Sequence, residues 1–288
     1  MPSETEYRSE RFEVKCRDGV TLQALAWGPV MPKAVVALAH GYAEHTGRYR
    51  HVIEALNGRG YAVFAVDHRG HGACRGRRAS IRRFDDFVDD FHVLVERART
   101  ENPSGPLFVL GHSMGGLIAT RYALRHQRNL AGLILSGAAL IVGESVPIWQ
   151  TRLLQLLSRV APDLPMLPST PGVLSRDPEV ERRLADDPLC YRGKVRLGLA
   201  RELYLAARDA RSHFAELSLP LLVMHGADDR LTSPRGSELL YQQARSAEKT
   251  LKLWPDDRHE IFNELDAEAV IGFMCDWLDE RSTDHPGR

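Results

Sequence analysis

The sequence predicts an α/β fold built on a mostly parallel sheet of eight strands flanked by helices. Three observations predict it: short apolar runs recur along the chain, segments with helical spacing lie between them, and a hairpin signal joins the first two runs. Apolar runs this continuous suit strands that are buried on both faces, and strands that alternate with helices indicate a parallel sheet. At 288 residues, of which 43% are hydrophobic, the chain is long enough to bury such a core.

The strands follow one another along the chain. Phe12–Cys16 and Thr21–Trp27 are joined by Asp18-Gly19, which is typical of a tight hairpin turn, so we expect these two strands to pair antiparallel. Segments whose apolar residues have helical spacing lie between later runs; Phe84–Ala98 is one, and the segment that follows Ser233-Pro234 is another. Six further apolar runs predict the remaining strands: Ala34–Ala39, Tyr61–Val66, Leu107–Leu110, Leu133–Leu135, Leu221–Met224 and Leu251–Trp254.

The alternation of strands and helices is interrupted before the last two strands. A helical block inserted into a regular α/β chain most simply becomes a lid over the carboxyl edge of the sheet. We therefore predict a core of residues 1–142 and 218–288 and a helical lid of residues 143–217. One amphipathic pattern and two further helical segments fill this lid: Leu153 to Val160, Pro178–Ala185 and Lys194–Ala210.

Charge and cysteine content argue against several other classes of protein. Lys+Arg and Asp+Glu both number 38, so no net charge attracts nucleic acid, and we expect no nucleic-acid partner. The four cysteines are far apart, without a Cys-x-x-Cys pair, so we expect neither a metal site nor a disulfide framework. The N-terminus is polar where a signal peptide is apolar, and no apolar run approaches the roughly 18 residues of a membrane span. We therefore expect a cytoplasmic protein.

Residues 111–115, Gly-His-Ser-Met-Gly, carry the clearest chemical signal. They follow the predicted strand Leu107–Leu110 and open a helical pattern, which is the strand, tight turn and helix that a nucleophile elbow requires. The flanking glycines make room for a serine in a strained backbone conformation, with its hydroxyl exposed at the edge of the sheet. Ser113 is therefore the predicted nucleophile.

Two later loops carry the groups that a nucleophilic serine needs. The serine hydroxyl is a weak nucleophile unless a histidine takes its proton and a carboxylate orients that histidine. Asp228 and Asp229 both follow the strand Leu221–Met224, and periodicity alone does not separate these two neighbours. His259 follows the next predicted strand, which completes the chain order of serine, acid and histidine.

A tetrahedral intermediate also needs two hydrogen-bond donors aimed at its oxyanion. Met114, directly after the nucleophile, offers one backbone N–H. The loop His40-Gly41-Tyr42 follows the strand Ala34–Ala39 and is placed to offer the second N–H, from Tyr42. The alternative is that His40-Gly41 only turns the chain.

With these motifs, the chain resembles the monoacylglycerol lipase and lysophospholipase-like group of α/β-hydrolases, over roughly Val14 to Leu278. The resemblance selects Asp229 as the acid of the triad, because the family's acid directly precedes Arg-Leu. Two departures stand close to the site: Arg258 replaces a residue that is often aromatic, and Thr232 replaces the cysteine of certain members. Four segments carry the resemblance: HGYAEHTGRY at 40–49, DHRGHG at 67–72, GHSMGG at 111–116 and SRDP at 175–178.

The resemblance also implies roles for residues that spacing does not identify. It implies that Tyr42 and Met114 form the oxyanion hole. It implies further that Glu44 and Arg48 help shape a pocket for the glycerol end of a substrate. The hydroxyl groups of a polyol bind best where the pocket offers both hydrogen-bond donors and acceptors. A salt bridge between these two side chains within the loop is the alternative.

The activity that the resemblance implies is hydrolysis of carboxylic esters through an acyl-Ser113 intermediate, without metal or cofactor. Monoacylglycerols, cleaved to fatty acid and glycerol, are the expected substrates. Lysophospholipids or simple carboxylic esters are the alternatives, and a non-catalytic ligand-binding homologue is the alternative from another class. The composition permits transient contact of the lid with a membrane or micelle. The lid's apolar side chains face either an acyl tunnel or such a surface: Ile148, Trp149, Leu153, Leu154 and Leu157.

Overall fold

Eight strands pair into one sheet in the computed structural model, which describes residues 7–142, 148–165 and 172–282, with side chains of the second range described from Leu154 onward. The strand order is β1-β2-β4-β3-β5-β6-β7-β8. β1 pairs antiparallel with β2 and β2 with β4, and every later pair is parallel. The predicted strands and hairpin are confirmed. The strands are β1 (Tyr7–Lys15), β2 (Thr21–Pro29), β3 (Ala34–Ala39), β4 (Tyr61–Val66), β5 (Leu107–His112), β6 (Gly132–Ser136), β7 (Leu221–Gly226) and β8 (Lys249–Trp254).

Helices cover both faces of the sheet. α1 and α8 pack on one face, and α2 and α3 pack on the other. The α-helices of the described residues are α1 (Arg50–Gly58), α2 (Asp85–Glu101), α3 (Met114–His126), α4 (Ile148–Val160), α5 (Pro178–Asp186), α6 (Leu197–Ser212), α7 (Pro234–Gln243) and α8 (Ala267–Ser282).

The continuous apolar runs reflect burial of the central strands on both faces. In β3, Val35 and Ala37 point into the core beneath α2 and α3, whereas Val36 and Leu38 point into the core beneath α1 and α8. All four side chains are buried, because successive residues of a strand point to opposite faces and both faces are covered. This is why the sequence shows a run here and not an alternation of apolar and polar residues.

Helices α4, α5 and α6 lie between β6 and β7 along the chain, within the range predicted for the lid. We call the chain between β6 and β7 the insertion. α6 packs against both α3 and α4, which connects the insertion to the helical layer of the core. Within the described residues, the helices are all too short or too polar to cross a membrane.

The DHRGHG motif at 67–72 fixes the loop that follows β4. The Asp67 carboxylate accepts hydrogen bonds from Thr46 N (2.9 Å), from the Thr46 hydroxyl (2.8 Å) and from Ala73 N (2.8 Å). A Cβ on Gly72, where φ is +52°, would lie 2.1 Å from Asp67 Oδ2, so only glycine fits there. The motif therefore braces the loop that carries residues 40–49 against the edge of the sheet.

Three histidines of these motifs are buried together behind that loop. The ring of His40 lies 4.2 Å from that of His68 and 5.7 Å from that of His71, measured between centroids. Burial lowers the pKa of all three imidazoles, to about 3 for His71. In the unfolded chain the pKa of a histidine is about 6.5, so these residues take up protons when the protein unfolds in mild acid.

The histidine cluster should make the fold sensitive to acid. Because the pKa of His71 is lowered by folding, its contribution to stability is complete above about pH 6.5 and is lost as the pH falls below that value. From pH 7.5 to 5.5 the free energy of unfolding of His71→Asn should fall by about 1.4 kcal/mol less than that of the wild type. Urea unfolding at both pH values checks this, with His213→Asn as control. An equal fall in wild type and His71→Asn would contradict it.

Candidate active site

Ser113 lies in a strained turn between β5 and α3. Its backbone has φ +53° and ψ −119°, a combination that residues with a side chain rarely adopt. A Cβ on Gly111 would lie 2.3 Å from the Gly115 carbonyl oxygen, and one on Gly115 would lie 2.0 Å from that of Ala39. Both positions therefore require glycine, and the turn places the Ser113 hydroxyl at the carboxyl edge of the parallel strands.

Ser113, His259 and Asp229 form a hydrogen-bonded chain at this edge. His259 Nδ1 lies 2.7 Å from Asp229 Oδ2, and His259 Nε2 lies 2.8 Å from Ser113 Oγ. With Nδ1–H donating to the carboxylate, Nε2 accepts the serine hydroxyl. Burial would lower the pKa of His259, but the Asp229 carboxylate outweighs burial and raises it. The imidazole is therefore prepared to accept a proton from Ser113.

The two neighbouring aspartates have different environments. Asp229 is buried, and its Oδ1 accepts hydrogen bonds from Leu231 N (2.8 Å) and Thr232 N (2.9 Å). Burial alone would raise the pKa of Asp229, but the imidazoles of His259 and His225 together outweigh burial and hold the pKa well below its ordinary value. Asp228 points to solvent and bonds Arg230. The structure thus places Asp229, and not Asp228, against His259.

Two further side chains hold Asp229, and sequence analysis assigned neither of them this role. His225 is fully buried, with Nε2 3.0 Å from Asp229 Oδ2 and Nδ1 2.7 Å from the Ser237 hydroxyl, from which it accepts. The Thr232 hydroxyl lies 2.8 Å from Asp229 Oδ2 and 3.0 Å from the Gly137 carbonyl oxygen, so its hydrogen can serve either acceptor. The signal for His225 was its place at the carboxyl end of β7, four residues before the acid.

The loop after β3 lies directly against the nucleophile. A Cβ on Gly41 would lie 3.2 Å from Ser113 Cβ, so Tyr42 and Met114, the next residue of each segment, belong to adjacent stretches of backbone. Glu44 Oε1 accepts hydrogen bonds from Gly41 N and from the Tyr49 hydroxyl. The carboxylate of Glu44 therefore fixes the backbone that leads into Tyr42.

Arg48 joins this loop to the loop of His259. Its Nη1 donates to Glu44 (2.9 Å), and its Nη1 and Nη2 donate to the two oxygens of Glu260 (2.8 and 2.7 Å). Burial would raise the pKa of Glu44, but Arg48, together with neighbouring imidazoles and the Tyr49 hydroxyl, outweighs burial and lowers the pKa to about 2. The salt bridge that the sequence left as an alternative is therefore present, and Glu260 is a partner that the sequence did not reveal.

One group among the described residues has side-chain atoms spaced as metal ligands would be: His45, Asp187 and Cys190, with all three atoms within 4.8 Å of one another. His45 Nδ1 accepts a hydrogen bond from Gly47 N, so Nε2 carries the ring proton and donates it to Asp187 at 2.7 Å. A metal on Nε2 would require the proton on Nδ1, facing the Gly47 N–H. We therefore interpret the group as a link between the loop after β3 and the insertion.

This sheet, with a serine, a histidine and an aspartate at its carboxyl edge, defines a hydrolase of the α/β-hydrolase class. The sequence profile of the family described as "Serine aminopeptidase, S33" matches residues 31–266. The chain is 39% identical to the monoacylglycerol lipase of Mycolicibacterium smegmatis over 261 residues, which cover 90% of this chain and 93% of that protein. The chain therefore belongs to this hydrolase family and is a carboxylic ester hydrolase.

Two other relatives agree with this assignment. The human monoglyceride lipase is 32% identical over 269 residues, which cover 92% of this chain and 89% of that protein. The crystal structure of a soluble variant of monoglyceride lipase from Saccharomyces cerevisiae, in complex with a substrate analog, matches with a TM-score of 0.82 and 26% identity. That match covers 97% of this chain and 98% of the yeast chain.

The two aspartates offer a matched test of the site. Asp229→Asn should lower kcat for a nitrophenyl ester by about 10⁴-fold, because an amide neither selects the reactive tautomer of the histidine nor stabilises the imidazolium. Asp228→Asn should stay within about threefold of the wild type, because the Asp228 carboxylate faces solvent, pairs with exposed Arg230 and lies no closer than 4.0 Å to Arg258. Steady-state kinetics of both variants check this. Equal losses in the two variants, or a loss only in Asp228→Asn, would contradict it.

Proposed function

We propose that this chain hydrolyses monoacylglycerols to fatty acid and glycerol, with Ser113 as nucleophile, His259 as general acid and base, and Asp229 as the group that orients His259. The hydrogen-bonded chain of these three side chains carries the proposal, with links of 2.8 and 2.7 Å. The relatives named as monoacylglycerol or monoglyceride lipases support the choice of substrate. The proposed reaction uses no metal or cofactor.

The first half of the reaction forms the acyl-enzyme. Ser113 Oγ attacks the ester carbonyl while its proton moves to His259 Nε2, which gives a tetrahedral intermediate and an imidazolium. The backbone N–H groups of Tyr42 and Met114 stabilise the oxyanion. His259 then returns the proton to the glycerol oxygen as the bond between carbon and that oxygen breaks. Glycerol leaves, and the acyl group stays on Ser113.

The second half releases the fatty acid. His259 Nε2 takes a proton from water as the water oxygen attacks the acyl carbonyl, and it returns that proton to Ser113 Oγ when the second intermediate collapses. Asp229 serves both halves in the same way. Its carboxylate stays ionised because its pKa is held low, so it stabilises the imidazolium each time the imidazolium forms.

Glu44 and Arg48 are proposed to shape the end of the pocket that receives the glycerol. Both side chains are almost fully buried, so they act by holding two loops together more than by offering free polar atoms. Glu44 fixes Gly41 and hence the N–H of Tyr42, while Arg48 fixes Glu260 beside His259. The wall of the pocket and the oxyanion donor Tyr42 N–H therefore both depend on the ion pairs that Arg48 makes with Glu44 and Glu260.

The lid predicted over residues 143–217 lies within the insertion, and we propose that it touches a lipid surface. Four apolar side chains on α4 and just beyond it are exposed: Leu156 (60%), Leu157 (37%), Val160 (80%) and Leu164 (45%). Apolar side chains gathered on one helix favour transient binding to a membrane or micelle. The side chains of Ile148, Trp149 and Leu153 lie outside the described residues. We also propose that the protein is cytoplasmic and binds lipid surfaces transiently.

The lid proposal predicts a separation between lipid binding and chemistry. Leu156→Ser combined with Val160→Ser should weaken binding to phosphatidylcholine vesicles by about tenfold, because two exposed apolar side chains are lost from the contact. Its rate on a water-soluble nitrophenyl ester should stay within about twofold of the wild type. Sedimentation with vesicles measures the binding. Met31→Ser, which is 89% exposed but lies after β2, is the control. Equal binding by wild type and double variant would contradict the proposal.

The substrate assignment is tested by initial rates on monoacylglycerols of increasing chain length, beside diacylglycerol, lysophosphatidylcholine and nitrophenyl butyrate. We expect clear preference for the monoacylglycerols and a loss of about 10⁶-fold in Ser113→Ala, because the nucleophile is removed. Preference for the lysophospholipid would move the enzyme to the alternative class of lysophospholipases. Activity on nitrophenyl butyrate alone would leave a simple esterase. An inactive wild type, or an active Ser113→Ala, would contradict the mechanism.

A further inference from the structure

The insertion binds the chain on both sides of His259. Glu260 N, directly after His259, donates to the Leu174 carbonyl oxygen at 2.7 Å. Arg258, directly before His259, donates from Nη1 to the carbonyl oxygens of Gly172 (2.9 Å) and Ser175 (3.0 Å). The insertion therefore contacts the immediate neighbours of the proposed base.

Arg176 adds an ionic link next to these hydrogen bonds. Its guanidinium donates to Asp257 (2.6 Å), Glu264 (3.0 Å) and Asp266 (2.8 Å). Its backbone N–H also donates to the Glu264 carboxylate, which in turn accepts Arg258 N at 2.8 Å. One buried carboxylate thus joins the insertion to the backbone of the residue before His259.

We call residues 172–176 of the insertion and residues 257–266 of the core, with the bonds between them, the clasp. Without Arg176 the clasp would hold three carboxylates close together, two of them buried. Burial, together with Asp266 and Glu264, raises the pKa of Asp257 to about 7, and Arg176 opposes this rise. Arg176 therefore supplies the positive charge that allows residues 257–266 to hold these three carboxylates close together beside the site.

We propose that Arg176 and Arg258 are positioning residues that fix His259 through the clasp, so that the insertion sets the place of the imidazole as well as covering the site. The inference rests on the proposed function, in which His259 moves the proton. It also gives a role to the SRDP segment at 175–178, which the sequence marked without explaining, and to Arg258, which departs from the family pattern.

The geometry explains why such positioning matters for the rate. Proton transfer depends on the 2.8 Å separation of His259 Nε2 and Ser113 Oγ. A displacement of about 1 Å in a catalytic group costs about 100-fold in rate. Asp229 orients the ring of His259 from one side, while the clasp holds the backbone on which the ring is carried. Loss of the clasp should therefore lower kcat more than it raises KM.

Kinetics of Arg258→Met and Arg176→Met on nitrophenyl butyrate test the proposal. We expect kcat to fall at least tenfold in both variants, with KM within about threefold of the wild type, and Arg176→Lys to recover part of the loss. Arg182→Met is the matched control, because Arg182 lies in the same insertion, is exposed and, among the described residues, bonds Glu179 and no part of the clasp. Arg258→Met leaves no buried charge unpaired, so it serves if Arg176→Met does not fold.

A second readout follows His259 without any substrate. The Nδ1 proton of His259, bonded to Asp229, gives an imidazole NMR resonance that we expect to shift or broaden in both clasp variants and to stay unchanged in Arg182→Met. Wild-type kcat in Arg258→Met, or a change in KM alone, would overturn the proposal. If the wild type cleaves no ester, the proposed function fails, but the NMR resonance of His259 still tests whether the clasp positions this residue. An unchanged His259 resonance in folded Arg258→Met would then overturn it.

Discussion

The tight turn at Ser113 is the constraint on which the rest of the site depends. A serine with φ +53° at the end of β5 sends the chain straight into α3, so the residue after it begins a helix. The turn closes only because Gly111 and Gly115 carry no Cβ that would meet neighbouring backbone. β5 lies between β3 and β6 in the sheet, so the loop after β3 lies beside the same hydroxyl. The loops after β7 and β8 reach this edge because all these strands run parallel.

Around this turn, buried charges are held in pairs and networks. A buried carboxylate is unfavourable unless a cation or several donors compensate for lost water. Asp229 has two imidazoles and two backbone N–H groups, whereas Glu44 and Glu260 share the guanidinium of Arg48. These interactions fix three loops whose only regular secondary structure, among the described residues, is a short turn of 3-10 helix in two of them. The site is therefore ordered by electrostatics where the sheet ends and its backbone ladder no longer supports the chain.

The sheet and the elbow could be predicted from the sequence because their signals are local. Continuous apolar runs mark strands buried on both faces, and two glycines, each two residues from a serine, mark the turn. The supports of the site could not be predicted in this way. Arg48 and Glu260 are 212 positions apart, and Arg176 and Asp257 are 81 apart, so no periodicity connects them. These partners come together only because loops from different strands meet at one edge of the sheet. The choice between adjacent Asp228 and Asp229 as the acid also needed more than periodicity, since only the resemblance selected Asp229.

The central claim is that Ser113 is the group that becomes acylated, and covalent labelling tests it most directly. The wild type is treated with a fluorophosphonate while ester hydrolysis is followed, and the modified protein is digested and mapped by mass spectrometry. The account predicts one adduct, on Ser113, whose extent matches the loss of activity, because this hydroxyl lies 2.8 Å from His259 Nε2, the nitrogen that takes its proton. Activity that survives complete modification of Ser113, or inactivation by an adduct on another residue, would contradict it.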